Sequence, residues 1–293
     1  MRLFRPATML LAAAAVASSA CSISLDAAQY VGKEDKNFAV TAKPEVVLKT
    51  FDGSIEVSAW DKSQVAVTIE RRAGSQAEAE ELKVTAEQVG NKVVIEAVKP
   101  ENRVQMGWNQ GRSVSFVVHV PKQTDLTATS GDGSIEARGL AGTVELRSGD
   151  GSIKAADLSG DVGIHTGDGS VEAANVSGGL SIATGDGSVS VSGAPRTLKA
   201  HTGDGSVHVD VATTTTPTDD WEVTTGDGSV NVALPSGFNA VLDAHTGDGS
   251  VNADDFGLKA HGDDKNDLQG TLGSGGKTLR IRSGDGSIRV EKR

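Results

Sequence analysis

Apolar and polar residues alternate along most of the chain beyond residue 38, in short runs that glycine-rich turns separate. In the stretch 180–191, for example, Leu180, Ile182, Val189 and Val191 are apolar and the residues beside them are small or polar. Successive side chains of a strand point to opposite faces, so this pattern predicts two short strands around a turn with one face buried. The matching inward positions of the two preceding units are Val144, Leu146, Ile153 and Ala155, and then Val162, Ile164, Val171 and Ala173.

The turn between the two strands carries a repeated phrase, [Ser/Thr]-Gly-Asp-Gly-Ser-[Ile/Val]. Its eight copies begin at Ser130, Ser148, Thr166, Thr184, Thr202, Thr225, Thr246 and Ser283, and 51–55 is a looser ninth copy. The first five copies are 18 residues apart and the later intervals are 23, 21 and 37 residues. A short fixed period is typical of repeat architectures, and it favours stacked coils over an up-and-down barrel or a sandwich. We therefore predict an all-β fold, a single-stranded β-solenoid of about nine or ten coils.

The N-terminus has the features of an export signal over residues 1–20. Arg2 and Arg5 provide positive charge, 9–17 is apolar, and small residues precede Cys21, the only cysteine. Ala20-Cys21 resembles the end of a bacterial lipobox, which predicts that Cys21 is lipidated and anchors the protein in a membrane. The alternative is ordinary signal cleavage beside an incidental thiol. Ser22 after the cysteine favours the outer membrane, facing the periplasm, in a Gram-negative host.

The remaining chain divides by the regularity of its pattern. Residues 21–37 are polar and small and are predicted to be a tether. Residues 38–121 read as an irregular β-rich cap, because a bare first coil would expose unpaired edge groups. Residues 122–293 contain the repeats, with insertions near 213–220, 234–238 and 254–276. The coil around Ser283 comes last in sequence, and its basic side chains are predicted to protect the end of the stack; they are Arg280, Arg282, Arg289, Lys292 and Arg293.

Composition and charge narrow the possible functions. The 36 glycines and 3% aromatic residues suit many short strands joined by tight turns. The net charge of −11 argues against nucleic-acid binding, which needs a basic surface. Beyond the N-terminus no run approaches 18 apolar residues, so no transmembrane helix is predicted in the mature chain.

The Gly-Asp-Gly phrase places a column of carboxylates along one edge of the predicted stack. The column comprises Asp132, Asp150, Asp168, Asp186, Asp204, Asp227, Asp248 and Asp285. In the structural interpretation the glycines adopt positive φ and each aspartate accepts hydrogen bonds from turn amides. In the alternative, repulsion between stacked carboxylates is relieved by calcium, giving a β-roll-like binding protein. The phrase lacks the Gly-Gly-x-Gly-x-Asp order of calcium-binding nonapeptides, so the structural interpretation is favoured.

Histidine provides a second candidate set, because His165, His201 and His245 each precede a Thr-Gly-Asp-Gly-Ser phrase. We expect them on alternate coils, about 9.6 Å apart and facing outward. Zinc binds histidine nitrogen at about 2.0–2.1 Å, so one ion could not bridge two of them. A solvated stripe is the favoured interpretation.

Signatures of catalysis are lacking. The sequence has no His-Glu-x-x-His, no Gly-x-Ser-x-Gly elbow and no phosphate-binding loop. A polysaccharide-acting β-helix enzyme with paired carboxylates stays open as an alternative. The coils between Ser130 and Val209 contain no aromatic platform for a sugar, so we expect neither an enzyme nor a cofactor.

Three features occur together in this sequence: the segment Val46-Val-Leu-Lys-Thr-Phe-Asp-Gly-Ser-Ile-Glu-Val57, a predicted strand that ends at Pro121, and the later Ser-Gly-Asp-Gly-Ser-Ile copies. In this combination the chain resembles the bacterial DUF4097 family, whose members are often described as adhesins. The resemblance implies a cell-envelope protein without established catalysis. We expect a repetitive outward surface that binds another envelope protein or a glycan. Its polar column comprises Glu136, Lys154, Glu172, Ser190, His208, Asn231, Asn252 and Arg289. The oligomeric state is not indicated.

Overall fold

The computed structural model describes residues 23–26, 29–98, 111–259 and 265–293. The predicted signal segment 1–20 and the predicted lipidation site Cys21 lie outside these residues. Within the described ranges, no helix has both the length and the apolar character needed to cross a membrane.

The described chain is almost entirely β. Its N-terminal strands are β1 Ile23–Asp26, β2 Gln29–Ala39, β3 Glu45–Thr50, β4 Ile55–Trp60, β5 Gln64–Ala73, β6 Val84–Val89, β7 Lys92–Ala97 and β8 Ser113–Pro121, with a short helix α1 Gln76–Glu80. The repeats begin with β9 Asp125–Ser130, β10 Ile135–Arg138, β11 Val144–Ser148, β12 Ile153–Ala156, β13 Ser159–Thr166, β14 Val171–Thr184, β15 Val189–Thr202 and β16 Val207–Val211. They continue with β17 Trp221–Thr225, β18 Val230–Leu234, β19 Ala240–Thr246, β20 Val251–Asn252, a 3-10 helix η1 Asp254–Phe256, β21 Asp267–Leu272, β22 Thr278–Ser283 and β23 Ile288–Lys292.

The strands form two parallel ladders, one on each side of the core. The first ladder contains the strands that precede each Gly-Asp-Gly turn, and there β11 pairs with β13 in a register that places Val144 beside Val162. The second ladder contains the strands that follow the turn, and there Ile135 of β10 lies beside Ile153 of β12. Strands β14 and β15 run through the corner opposite the turn and contribute to both ladders. The all-β, solenoid-like fold follows from this repeated pairing.

The core is the space between the two ladders. All twelve residues that the alternation placed inward between Val144 and Val191 are 3% exposed or less. The core continues along the whole stack as a single apolar cluster of mainly valine, leucine, isoleucine and alanine. Burying such a side chain contributes roughly 1.5–3 kcal/mol, so every repeat adds a similar increment by stacking on its neighbours.

The N-terminal region extends both ladders with antiparallel strands. β8 pairs with β4 in parallel and with β5 antiparallel, while β7 pairs with β3 in parallel and with β6 antiparallel. Strands β6 and β7 form a hairpin. Helix α1 starts after Ser75, whose side chain accepts a hydrogen bond from the amide of Glu78, and it packs against β2 and β5.

Residues 29–37 differ from the predicted tether, because β2 pairs with β5 along ten residue pairs. The strand is held by polar contacts: Lys33 pairs with Glu70, Glu34 pairs with Arg71 at 2.9 Å, and Thr68 donates to Asp35 at 2.6 Å. Both faces of this part of β2 are at least partly exposed. A strand stabilised by ion pairs shows no apolar alternation, and the sequence pattern therefore missed it.

The order of repeats in space differs from their order in sequence at the C-terminal end. β22 lies between β17 and β19, and β23 lies between β18 and β20. The coil around Ser283 is therefore internal, and the prediction that its basic residues protect the end is wrong. Arg282 instead donates to Asp243 at 2.7 Å, and this bond, reinforced by Arg280, holds the pKa of that carboxyl below its ordinary value.

The end of the stack is built from the long connection that was predicted as an insertion. Within it, β21 pairs antiparallel with β19, and η1 packs against β23. The segments 212–220 and 235–239 connect strands as loops. At the N-terminal end of the stack, the first coil in sequence, β3–β4, is likewise not the outermost coil, because it lies between β7–β8 and β9–β10.

Candidate functional site

The Gly-Asp-Gly corner is held by a buried hydroxyl that the sequence analysis did not assign. The Thr184 hydroxyl donates to the carbonyl of Gly169 in the preceding repeat at 3.0 Å, and the Thr202 hydroxyl donates to Gly187 at 2.8 Å. The hydroxyl also accepts a bond within its own turn, since the amide of Gly205 donates to Thr202 at 3.2 Å. The same buried position recurs at Ser130, Ser148, Thr166, Thr184, Thr202, Thr225, Thr246 and Ser283. The restriction of this position to serine and threonine in every copy was the available signal.

The turn glycines are required for a different reason from the one expected. The glycines of the eight Gly-Asp-Gly copies are not in the left-handed region, so positive φ does not explain them. A Cβ on Gly187 would lie 2.1 Å from the carbonyl oxygen of Gly169, and a Cβ on Gly185 would lie 2.8 Å from that of Gly167. Glycine is needed because consecutive turns stack backbone on backbone. Positive φ occurs at the opposite corner, for example at Gly178 with φ 117°.

All eight carboxylates of the aspartate column point into solvent. In the described part of the chain, none of these eight side chains has a hydrogen bond or an ion pair. The prediction that they accept bonds from turn amides is therefore wrong, because the serine or threonine hydroxyl takes that position. Across the same described residues, no group of three or more histidine, cysteine, aspartate or glutamate side chains is arranged to hold a metal ion.

The three histidines do not form an evenly spaced stripe. His165 and His201 lie two rungs apart, with Ala183 between them, as predicted. His245, however, lies three rungs beyond His201, because β17 and β22 come between β15 and β19. All three are exposed, and His201 shares a hydrogen bond with Thr224 at 2.8 Å.

A groove lies on the outward face of the second ladder, and it is here called the serine groove. It crosses five successive repeats and has a volume of about 460 Å³. One wall is a row of equivalent serines, and the other is part of the predicted polar column; the walls are Ser152, Ser170, Ser188, Ser206 and Ser229, and Lys154, Glu172, Ser190, His208 and Asn231. The backbone between these walls belongs to core positions such as Val171 and Val189.

The serine groove combines weakly engaged polar groups with one unsatisfied acceptor. Lys154 and Glu172 approach to 3.6 Å, but both side chains are more than half exposed, so this pair contributes little stability. The side-chain oxygen of Asn231 is buried and has no hydrogen-bond partner among the described residues. A buried acceptor without a partner costs about 1–3 kcal/mol.

A second, more acidic groove lies on the first ladder and is bordered by the 212–220 loop. It is lined by Glu145, Asp161, Asp219 and Asp220 together with Lys199. Most of these carboxylates have partners: Glu145 pairs with Arg147 at 3.0 Å, and Asp220 accepts from the amide of Thr278 at 2.8 Å. Asp219 accepts from the amide of Asp220 at 2.9 Å. These bonds give the carboxylates structural roles and do not favour paired-carboxylate chemistry, which needs two groups free to act on a substrate.

The outward polar column is continuous across the second ladder, although its final order is changed. Glu136, Lys154, Glu172, Ser190, His208 and Asn231 follow one another on consecutive rungs. Arg289 then lies beside Asn231, and Asn252 comes last.

The ladders, the stacked turns and the outward grooves define a class of β-repeat proteins in which the same turn recurs in every coil. The Toastrack DUF4097 family model matches residues 44–291, and the chain belongs to this family. The resemblance inferred from the turn phrase is thereby confirmed. No curated protein matches the chain.

Three solved structures are similar to this chain at low sequence identity. One is a "putative cell adhesion protein" from Clostridium sporogenes, with 15% identity, a TM-score of 0.30, and coverage of 89% of this chain and 100% of the other. The second is a "putative adhesin" from Bacteroides fragilis, with 10% identity, a TM-score of 0.34, and coverage of 88% and 96%. The third is a "putative lipid binding protein" from Parabacteroides distasonis, with 11% identity, a TM-score of 0.28, and coverage of 88% and 96%. None of these names describes an enzyme.

Proposed function

We propose that the chain is a non-catalytic, adhesin-like interaction module of the cell envelope, built as a β-solenoid of about nine or ten coils. Its ligand-binding surface is the serine groove. The observation that carries this proposal is the groove itself, in which two rows of polar side chains run along five repeats.

The strand pairing beneath the serine groove excludes one mode of polypeptide binding, and we propose a glycan as its ligand. The strands beneath it have neighbours on both sides, so their backbone groups are already paired and no peptide can add there as a further strand. Recognition must therefore use the hydroxyl, amide, imidazole and charged side chains of the walls. Adjacent strands are about 4.8 Å apart, so the five rungs extend over roughly 19 Å and suit an extended chain of several sugar rings.

The proposal is tested by filling the groove. Ser190 lies in the middle of its wall and is exposed, so Ser190→Tyr should block the groove without entering the core. Co-sedimentation of the purified chain with isolated cell-wall glycan should be lost in Ser190→Tyr. The control is Ser181→Tyr, which adds the same bulk to an exposed site in the acidic groove and should leave binding unchanged.

Two results would count against this function. If Ser181→Tyr abolishes binding and Ser190→Tyr does not, the ligand occupies the acidic groove. If the wild-type chain neither sediments with the glycan nor retains any protein after crosslinking in the intact envelope, the interaction module itself is contradicted.

Membrane attachment through Cys21 is a separate part of the proposal, and it is supported by the Ala20-Cys21 sequence. β1 starts at Ile23, two residues after the cysteine, so acyl chains on Cys21 would hold the N-terminal end of the stack close to the lipid surface. Several acyl chains on one residue would anchor the protein stably, as a single chain would not. Cys21→Ser should abolish incorporation of labelled palmitate and release the protein from the membrane. A wild-type chain that incorporates no label would contradict the anchor.

A further inference from the structure

The strand at the N-terminal edge of the first ladder is open on one side. Among the described residues, β6 pairs only with β7. The amide of Val98 donates to the carbonyl of Lys83 at 3.0 Å, and this bond fixes which residues of β6 form backbone hydrogen bonds with β7. Residues 83, 85, 87 and 89 therefore bond β7, while the backbone N–H and C=O groups of Val84, Ala86 and Gln88 point away from it.

The other edges of the described sheet carry protection that β6 lacks. In the second ladder, β1 has only four residues and covers residues 29–32 of β2, and the uncovered part of β2 contains the consecutive charged residues 33–36. At the C-terminal end, β20 has two residues and is followed by η1. β21 contains an aspartate and a glycine. β6 is Val-Thr-Ala-Glu-Gln-Val, with one charge and no proline. Charges, short strands and helical covers are the usual means of preventing strand addition, and β6, with a single charge, six residues and no glycine, is the least protected of these edges.

Exposed apolar residues concentrate at the same edge. The described chain exposes three large apolar residues: Val89 at 78%, Val98 at 45% and Val241 at 40%. Val89 ends β6 at the tip of its hairpin, and Val98 follows β7 at the other end of that hairpin. Two of the three therefore flank one strand, which is expected of a surface that becomes covered by a partner.

We propose that β6 pairs antiparallel with β6 of a second copy of this chain, about a two-fold axis at Ala86. In this register Val84 lies opposite Gln88 of the second copy. The backbone groups of Val84, Ala86 and Gln88, which point away from β7, then all form hydrogen bonds between the two copies. On the exposed face Thr85 lies opposite Glu87 of the second copy, and Lys83 lies diagonal to it. A shift of one hydrogen-bonded step would place the two Glu87 side chains opposite each other, which is unfavourable. The contact is isologous and closes as a dimer.

The test uses a proline that removes only the N–H of Ala86, which points away from β7. Proline is tolerated on an edge strand where the N–H faces away from the ladder, so Ala86→Pro should preserve β6–β7 pairing. We expect the wild-type chain to dimerise in sedimentation equilibrium and Ala86→Pro to raise the Kd of the dimer at least tenfold. The matched control is Gln269→Pro on β21, whose N–H also points away from its neighbour because the amide of Thr246 bonds Asn266. It should leave the Kd unchanged.

The register has its own test. Glu87→Lys should weaken the dimer, and the double variant Lys83→Glu with Glu87→Lys should restore it. A wild-type chain that is monomeric at every concentration, or an Ala86→Pro chain that dimerises as tightly as wild type, would overturn the proposal. So would a monomer in which Ala86→Pro lowers the melting temperature, because the edge would then be covered from within the chain.

Discussion

The two corners of each repeat share one requirement for glycine and differ in a second. At the Gly-Asp-Gly corner, consecutive turns lie so close that a Cβ would overlap the backbone of the preceding repeat. The same close approach recurs at the opposite corner, where a Cβ on Gly178 would lie 2.1 Å from the carbonyl oxygen of Gly160. There the chain must also adopt positive φ, as at Asn175 with φ 54° and Gly178 with φ 117°. The first requirement depends on the neighbouring coil and the second on the local backbone. The stacking requirement is therefore common to both corners, and only the opposite corner adds a requirement on the local backbone.

The largest expected effect follows from adding a methyl group at the stacked corner. Gly187→Ala would place a Cβ 2.1 Å from a carbonyl oxygen that cannot move without shifting a whole coil. We expect a loss of about 3 kcal/mol in the free energy of unfolding, measured by denaturant titration. Gly237→Ala is the control, since a Cβ there meets nothing within 4 Å. Equal effects of the two substitutions would contradict the close-approach explanation.

The next effect concerns the buried hydroxyl at the same corner. Thr184→Val keeps the shape of the side chain but leaves the carbonyl of Gly169 without the bond that it accepts at 3.0 Å. The free energy of unfolding should fall by about 1–2 kcal/mol. Thr184→Ser retains the hydroxyl, as in the natural copy at Ser148, and should lose less. A valine variant as stable as wild type would show that the hydroxyl is dispensable.

A smaller effect is expected at the opposite corner. Asn175→Ala and Asn175→Gly both remove the bond from Asn175 to Asp157 at 3.1 Å, so their difference isolates the cost of the left-handed conformation. We expect alanine to be less stable than glycine by about 1 kcal/mol in thermal unfolding. If the two variants melt at the same temperature, the backbone conformation is not what limits this corner.

The smallest effect is expected for the carboxylates that the phrase displays. Asp186 is exposed and, within the described chain, makes no side-chain bond, so Asp186→Asn should change stability by less than about 0.5 kcal/mol. Millimolar calcium should leave the melting temperature of the wild-type chain unchanged. A rise with calcium that disappears with chelator and shrinks in the asparagine variant would instead support the calcium ladder.

Part of the fold was readable from the sequence because inward residues alternate with period two and turns recur with period 18. The positions from Val144 to Val191 were predicted for that reason. The spatial order of the terminal coils was not, because chemically equivalent copies can stack on one another in several orders. The long connection from 254 to 276 allows β22 to lie between β17 and β19, and no local sequence pattern indicates this spatial order.

The candidate site was predicted less completely. The outward polar column was correctly placed on one face, since alternation fixes which residues point out. The unsatisfied oxygen of Asn231 depends on how adjacent side chains pack, which periodicity does not describe. Strand β2 was missed because its stability comes from contacts such as Glu34 with Arg71, whose partners are distant in sequence.

The position of the last coil also determines how the molecule would respond to a mechanical load. Stacks of repeats commonly unravel from the outermost unit, because a terminal coil has only one neighbour to leave. Here the last strand, β23, has neighbours on both sides, β18 and β20. The amide of Lys292 also donates a hydrogen bond to the Asp255 carboxylate at 3.1 Å. Pulling on the C-terminus would have to extract a strand from between two others, in shear, before any coil could peel away. For the anchored, partner-binding module proposed above, this arrangement makes the C-terminal strand resistant to tension.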